Sequence, residues 1–338
     1  MADLTPQPRA LSSFVERAPR CSSSSVNPWR RRGVDVAVVV VDGAAMHPRD
    51  QLAGTGISPK HSFGQNFLVD EHHQNRIADL AVACARADAN GRKQVVELGP
   101  GLGALTGRLL ERHVDVIAVE RDRDLVPILT KRFADHSQLR VVEDNALTWP
   151  LTPENGVRDG FALVGNLPYH HAADLCLRCV DSLEEKPAPA DGQPRIGGGC
   201  FLIQLEVGER IAAGPGGKDY GVLSVLLQSR FKVTMPHVVP RGAFWPVPDV
   251  DGGVIVLRPL PATEIESDVS FEELRTVVKA AFHMRRKTLR NGLSALAKER
   301  GLGVDDVFAA ADIDPKERAE QVPVKGFVRL ARALRAPV

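Results

Sequence analysis

The chain has 338 residues and a mass of 36.6 kDa, enough for two domains of about 100 to 200 residues each. Hydrophobic residues make up 43% and charged residues 25%, which excludes a disordered, collagen-like or membrane-embedded chain for most of its length. Lys and Arg total 43 against 42 Asp and Glu, a formal charge of +1, so no global field recruits a polyanion and any nucleic acid must be held by a local patch.

The first 55 residues contain CSSSSVNPWRRRG and no sustained periodicity. Three origins stay open for them: a disordered tail, a reading frame whose natural start is nearer Met46, or a cleaved transit segment. Residues 1–56 are accordingly expected to be a disordered extension. The apolar run from Val34 to Val41 is interrupted by Asp35 and is far shorter than the ~20 residues that span a bilayer. The five cysteines, at 21, 84, 176, 179 and 200, are an odd number, which suits a reducing compartment, with the cytoplasm the simplest assignment. Cys176-Leu-Arg-Cys179 has a metal-like spacing near His170 and His171. With no second cysteine pair we read it as two small residues on a helix and expect no metal.

From Phe67 to Asp88 the residues Ile77, Leu80, Ala81 and Cys84 recur at helical spacing. QVVELGPGLG follows as a buried strand ending in glycines, ALTGRLLERH as a helix and VDVIAVERD as a second strand. That order is a βαβ unit and implies a parallel sheet. DLVPILTKRFADH, LRVVEDNAL and FALVGNLPY continue with a helix and two strands, which predicts a doubly wound α/β domain. Residues 184–199, with their prolines and glycines, are expected to form an exposed loop. CFLIQLEVGERIAA reads as a strand leading into a helix, and SVLLQSRFKVTMPHVV and GGVIVLRPL as strand-like material. From about Ser270 the spacing is helical throughout, so a small second domain begins near Pro261.

The glycine turn from Glu97 to Gly103 lies between a strand and a helix, where glycine lets a ligand approach backbone N–H groups. The next strand ends in Glu120, an acceptor placed for a ribose diol. A nicotinamide dinucleotide would fit that much. Its usual signature is G-x-G-x-x-G, whereas this turn reads E-x-G-x-G-x-G, and an acid there repels a pyrophosphate. S-adenosylmethionine carries an ammonium, a sulfonium and no phosphate, and suits the turn better. Asn145, ending the following strand, either pairs with an adenine edge through its amide or simply ends a strand.

Asn166-Leu167-Pro168-Tyr169 falls at the carboxyl end of a strand, the rim where open α/β sheets hold ligands. The exocyclic nitrogen of adenine is a poor nucleophile that needs acceptors more than a strong base. The Asn166 side-chain oxygen and the Leu167 carbonyl can accept its two hydrogens, Pro168 stiffens the turn and Tyr169 offers a stacking face. An ordinary turn after a strand is the alternative, weakened by the acidic glycine turn upstream.

SFGQNFLVD (62–70), VVELGPGLGALT, VGNLPY, GAFWPVPDVDGGVIVL (242–257) and AAFHMRRKTLRNGL (280–293) occur in this order between about residues 58 and 335. Together they resemble the KsgA-type ribosomal RNA adenine dimethyltransferases. The resemblance implies a Rossmann-like methyltransferase domain at 57–260 and a helical RNA-binding domain at 261–338. It implies dimethylation, from S-adenosylmethionine, of two adjacent adenosines in the hairpin loop near the 3′ end of small-subunit (16S) rRNA, linked to ribosome biogenesis. The expected partner is the immature small ribosomal subunit, and the protein is expected to be a monomer without membrane contact. Asn66, Leu68, Glu97, Gly99, Gly101, Glu120, Asn145 and Asn166 are the implied cofactor-pocket residues. Phe244 is the implied second aromatic opposite Tyr169, sandwiching a flipped adenine.

Three departures stand out. The family usually has Asp where Asn145 stands, and the adjacent Asp144 is a substitute for that contact. HHAADLC replaces the Ile-Ser/Thr-rich turn that commonly follows the quartet. The first ~55 residues and the 184–199 loop have no counterpart in the compact family pattern.

Lys279, Arg285, Arg286, Lys287 and Arg290 fall in a stretch free of Asp and Glu. On a helix 286, 287 and 290 would share one face, a phosphate-binding stripe or else a solvated surface. Arg285, Arg286, Lys287 and Arg290 are the candidate RNA contacts. Two other functions compete: a large-subunit rRNA methyltransferase of the antibiotic-resistance type, and a mainly non-catalytic ribosome assembly factor. FGQNFL and RRKTLRN favour the small-subunit branch, and the intact quartet favours chemistry.

Overall fold

Val95, Val116, Ala118, Ala162, Val164, Cys200 and Leu202 belong to one hydrophobic core, and their chain neighbours Val96, Ile117, Val119, Leu163, Phe201 and Ile203 to another. Successive side chains of a strand point to opposite faces, so these unbroken apolar runs mark a sheet buried on both sides. The structure is a computed structural model, and it describes residues 46–60, 64–168, 171–183, 193–266, 268–284 and 286–335.

The elements in chain order are α1 (Pro48–Leu52), β1 (Phe67–Leu68), α2 (Glu71–Cys84), β2 (Gln94–Leu98), α3 (Ala104–Leu110), β3 (Asp115–Glu120), α4 (Leu125–Arg132) and β4 (Leu139–Glu143). They continue with β5 (Ala162–Asn166), α5 (Ala172–Asp181), β6 (Gly198–Gln204), α6 (Leu205–Ala212), α7 (Val222–Gln228), β7 (Phe231–Val239), β8 (Phe244–Trp245) and β9 (Gly252–Pro259). Four helices close the chain: α8 (Phe271–His283), α9 (Leu289–Glu299), α10 (Val304–Ala311) and α11 (Val324–Ala333).

Among the described residues the main sheet has seven strands in the order β4-β3-β2-β5-β6-β9-β7. β4, β3, β2, β5 and β6 pair in parallel, and β9 runs antiparallel between β6 and β7. Chain order reverses between β2 and β5, which places a ligand crevice at their carboxyl ends. Ile77, Ala78 and Ala81 of α2 and Leu105 and Leu109 of α3 pack on one face, and Leu175, Cys176 and Cys179 of α5 on the other. This is the doubly wound architecture the sequence predicts. Cys176 and Cys179 are fully buried core residues whose thiols burial pushes up.

A third core joins Tyr220, Val225 and Leu226 to Leu274, Val277, Phe282, Leu289, Phe308, Phe327 and Leu330 of the closing helices. α8 starts at a reciprocal cap: Ser270 N donates to Glu273 Oε2 at 2.7 Å and Glu273 N donates to Ser270 Oγ at 3.3 Å.

Several expectations are corrected. Phe67 and Leu68 do not open the helix. They pair antiparallel with Trp245 and Phe244, and α2 starts at Glu71 with Asp70 as its cap. Val222–Gln228 is helical rather than strand-like, because an apolar run of that length is compatible with either state and packing decides. The expected loop at 184–199 ends early, since Gly198 begins β6. A Cβ on Gly198 would lie 2.7 Å from the Leu257 carbonyl oxygen and one on Gly199 2.7 Å from the Phe201 ring. The glycines there answer to close packing and not to a turn; residues 184–192 lie outside the described residues.

The extension expected at 1–56 is folded over its last part. Leu52 is buried with Phe67, Leu102 and Leu125, His47 meets the Trp245 ring edge-on at 5.8 Å, and the Arg49 guanidinium lies 5.9 Å from its centroid. Residues 1–45 lie outside the described residues. Arg286 and Lys287 are not on a helix either. They lie in the turn between α8 and α9, where the Leu289 and Arg290 N–H groups donate to the carbonyls of Glu317 at 2.8 Å and Pro315 at 3.2 Å. Those tertiary bonds satisfy the start of a new helix.

Candidate active site

β2 ends at the glycine turn, and its Glu97 is 2% exposed. Thr106 Oγ1 donates to Glu97 Oε2 at 2.6 Å. Burial pushes the Glu97 carboxyl up to about 7, Thr106 holds it lower than burial alone would, and Glu120 adds like-charge repulsion. The turn itself needs glycine: Gly99 has φ +69°, and Gly101, at φ +59°, would place a Cβ 3.1 Å from the Phe67 ring. Gly99 N donates to the Val119 carbonyl at 2.9 Å, locking the turn to β3.

Glu120 closes β3 and is 5% exposed. Its Oε2 accepts from Gly101 N at 2.9 Å and its Oε1 from Asp122 N at 2.8 Å. Burial raises its pKa against the pull of these backbone bonds. The beginning of the family-like region is tied to the same place: Lys60 Nζ lies 2.6 Å from both Asp122 and Asp124, and Gln65 Nε2 donates to Asp122 Oδ2 at 2.7 Å.

Asn166, at the end of β5, donates through Nδ2 to the Asn66 carbonyl at 2.8 Å. The turn beyond it is ordered by Leu167 N donating to the Leu202 carbonyl at 2.9 Å. One cleft at the carboxyl ends of the strands is lined by Asn66, Leu68, Glu97, Gly99, Gly101, Glu120, Asn145, Asn166, Pro168 and His171. Two buried carboxylates on one wall welcome a ligand with a cationic end and hydroxyl donors, and they oppose a pyrophosphate. The chemistry of this donor set fits S-adenosylmethionine.

Asn145 lines the cleft, whereas the exposed Asp144 does not. Asp144 Oδ1 accepts from Asn145 N at 2.6 Å, and Asn145 Oδ1 accepts from Leu147 N at 3.1 Å. Leu167 is buried beside the cleft. Phe244 is also off its lining: the ring is 5% exposed and packs in the core that holds Leu68, Leu202, Val239 and Val254. Tyr169 and Arg285 lie outside the described residues. Arg286 and Lys287 are exposed, and Arg290 pairs with Asp305.

Sequence reasoning missed Arg178. Its guanidinium, inside the Cys176–Cys179 segment, donates to the carbonyls of Ala146 and, at 2.7 Å, Trp149. It thereby fixes the loop that follows Asn145. Lys60, Gln65 and Asp122 were also missed; only their nearness to FGQNFL and to the acids after β3 pointed to them.

The family model described as ribosomal RNA adenine dimethylase matches residues 57–335. Ribosomal RNA small subunit methyltransferase A of Anaeromyxobacter sp. (strain K) is 39% identical over 296 residues, covering 85% of this chain and 97% of that protein. The protein of the same name from Xanthomonas axonopodis pv. citri (strain 306) is 40% identical over 275 residues, covering 80% and 95%. Among solved structures, the 23S rRNA methyltransferase ErmE is similar with a TM-score of 0.56 and 26% identity, over 80% of this chain and 99% of that one. A dimethyladenosine transferase from Plasmodium falciparum has a TM-score of 0.61 at 21% identity, over 78% and 95%, and supports the fold.

Proposed function

The chain belongs to the ribosomal RNA adenine dimethylase family, and on that premise we propose that it dimethylates the exocyclic amino groups of two adjacent adenosines in the hairpin loop near the 3′ end of small-subunit rRNA, during ribosome biogenesis. Relatives at 39% and 40% identity carry the small-subunit name, against 26% identity to the large-subunit enzyme, which supports the small-subunit branch. The observation that carries the reading is the Asn166 amide tied to the Asn66 carbonyl at the rim of an acidic cleft.

S-adenosylmethionine, when bound, supplies an electrophilic methyl group on a sulfonium. Glu97 would face its ammonium across the turn of Gly99 and Gly101, Glu120 would accept from the ribose hydroxyls, and the Asn145 amide would meet the adenine edge, with Asn66, Leu68 and Asn166 completing the pocket. Asp144, turned to solvent, shapes the Asn145 backbone instead.

With Nδ2 of Asn166 engaged, Oδ1 is the atom left to accept a hydrogen of the target amino group, and the Leu167 carbonyl accepts the other. Their pull localises the nitrogen lone pair and aims it, so the acceleration is orientation plus electrostatics. Tyr169 supplies a stacking face. Phe244 supports the β1–β8 ribbon from the core as it stands, and serves as the opposite face only if its ring leaves that position. Arg285, Arg286, Lys287 and Arg290 are the proposed phosphate contacts; Arg286 and Lys287 are exposed in the α8–α9 turn, and Arg290, exposed on α9, is paired with Asp305. We assign the enzyme to the cytoplasm and to a monomeric state; among the described residues no helix is long and apolar enough to cross a membrane.

The test is incubation with labelled S-adenosylmethionine and unmethylated small subunits, large subunits or naked rRNA, followed by mass mapping of adenosines. Dimethyladenosine at paired sites in the small subunit is expected, and Asn166→Ala should erase it. Label confined to large subunits would select the resistance-type activity, and no label at all would favour an assembly factor.

A further inference from the structure

α2 and the edge strand β7 bring three imidazoles and a guanidinium together beside the β1–β8 ribbon. His73 Nδ1 lies 2.8 Å from His237 Nε2, with the ring centroids 5.0 Å apart. His72 stands edge-on to both, 5.4 Å from His73 and 6.3 Å from His237. Arg76, one helical turn further along α2, is exposed and makes no ion pair among the described residues.

Two arginines after α2 are compensated. Arg108 pairs with Glu71 at 3.1 Å and with Glu111 at 2.9 Å, and Arg112 pairs with Asp79 at 2.8 Å. Of the carboxylates just before the patch in the chain, Glu71 is the one paired with Arg108, and Asp70 accepts the His73 backbone N–H at 3.0 Å as the helix cap. The groups that act on His237 are His73, Arg76 and His72 of α2, and no carboxylate of the described residues is among them. Its cross-strand partner on β9 is Val254. Burial first, and then those three neighbours, push the His237 imidazole down. Positive charge gathered here meets no counter-charge among the described residues, so added positive charge on His237 is resisted until an anion arrives.

The patch lies at the working end of the sheet. β7 runs parallel to β6, through antiparallel pairing of both with β9, so His237 sits toward the carboxyl end where the cleft opens. Val69 N donates to the Ala243 carbonyl at 2.8 Å, which holds the head of α2 against the segment after β7. A metal is the other ligand three imidazoles suggest. The facing nitrogens of His73 and His237 instead hydrogen-bond to each other, and no His, Cys, Asp and Glu group of the described residues is arranged to hold an ion.

We propose that His72, His73, Arg76 and His237 form a phosphate-binding site for the backbone of the RNA substrate, separate from the α8–α9 turn, and that His237, hydrogen-bonded to His73, takes up a proton when RNA binds. The site rests on the rRNA-methyltransferase reading for its occupant. A phosphodiester offers several acceptor oxygens to the remaining imidazole nitrogens and to the Arg76 fork, and its charge removes the repulsion that opposes protonation.

The test is fluorescence anisotropy of the full chain with two labelled RNAs, a hairpin bearing two adjacent loop adenosines and an oligouridylate. The wild type should bind the hairpin about tenfold tighter near pH 6 than near pH 8 at fixed salt, with a steeper salt dependence at the lower pH. His237→Asn and, as a second variant, His73→Gln should remove most of that pH dependence. Arg76→Gln should weaken binding about fivefold at both pH values. S-adenosylmethionine affinity should stay within twofold (about 0.4 kcal/mol) in all three. Equal pH dependence in wild type and His237→Asn, in a variant that melts at the wild-type temperature, overturns the site. Retained, His237-dependent binding of both RNAs without methyl transfer to any subunit would instead overturn the enzymatic reading and leave the site standing.

Discussion

The side-chain amide of Asn166 donates to the main-chain carbonyl of Asn66 across 2.8 Å, joining the end of β5 to a segment one hundred residues earlier. One end of the amide ties two parts of the chain together and the other end stays an acceptor. Only a side chain that carries both a donor and an acceptor at this length can do so.

Asn166→Ala should therefore lower single-turnover methylation by about 10²- to 10³-fold, the usual loss when one positioned polar partner of a reacting group is removed. Asn166→Asp keeps an acceptor but sets a carboxylate against the Asn66 carbonyl. It should lose turnover as well and also melt at a lower temperature. Wild-type turnover in the aspartate variant would show that the tie to Asn66 is irrelevant.

The Glu97 carboxyl titrates near 7 in the folded chain, against an ordinary value of 4.5. A raised carboxyl contributes stability that is fully present below 4.5 and is lost as pH rises through about 7. For the ligand-free protein that contribution is on the order of 3 kcal/mol. A cationic ligand needs the ionised form, so S-adenosylmethionine affinity should move the opposite way and strengthen as pH rises through the same range. Glu97→Gln should flatten both dependences, read by melting and by titration calorimetry across pH.

Phe244 is packed in the core, so Phe244→Ala should cost about 3 to 5 kcal/mol in denaturant melts. Phe244→Leu keeps most of the apolar volume and should cost less than about 1.5 kcal/mol. If the leucine variant is stable and still slow on small subunits, the ring also stacks on the target base. If it is stable and fully active, the role of Phe244 ends at the ribbon.

Arg132 donates to the Leu102 carbonyl of the glycine turn at 2.6 Å and to Gln51 Oε1 at 3.2 Å. A chain beginning at residue 57 loses Gln51, Leu52 and the Arg49 and His47 contacts to Trp245. It should bind S-adenosylmethionine severalfold more weakly than a chain beginning at residue 46, on the order of 1 kcal/mol for the uncovered apolar surface. Equal affinities would show that α1 does not brace the turn.

The parallel half of the sheet was legible because each strand is an apolar run closed by glycine, acid or Asn, and each helix repeats its apolar residues on one face. The cleft was legible for the same reason: Glu120 and Asn166 end their strands, and Glu97 and Asn145 lie within two residues of the ends of theirs. The misreadings share one physical cause, contacts distant in sequence. Phe67 and Leu68 look like the first turn of an amphipathic helix until Phe244 and Trp245 offer backbone partners. Gly198 and Gly199 look like a loop until Leu257 and Phe201 are packed against them. Arg286 and Lys287 look like a helical stripe until Pro315 and Glu317 cap a new helix beneath them. Arg178 had no signal of its own, because a lone arginine between two cysteines says nothing about which carbonyls it will reach.

Trp245 stacks on Phe67 at 6.4 Å with the planes 21° apart, and Phe67 in turn covers Gly101 of the cofactor turn. Trp149 is 3% exposed and its carbonyl is held at the far end of the Asn145 loop. Of the three tryptophans in the sequence, Trp245 is thus joined to the glycine turn through Phe67 and is partly wet, whereas Trp149 is dry behind the Asn145 loop. Occupancy of the cleft can therefore be followed without any added label once Trp29 and Trp149 are replaced by Phe, because the emission of the remaining Trp245 then reports movement of the glycine turn.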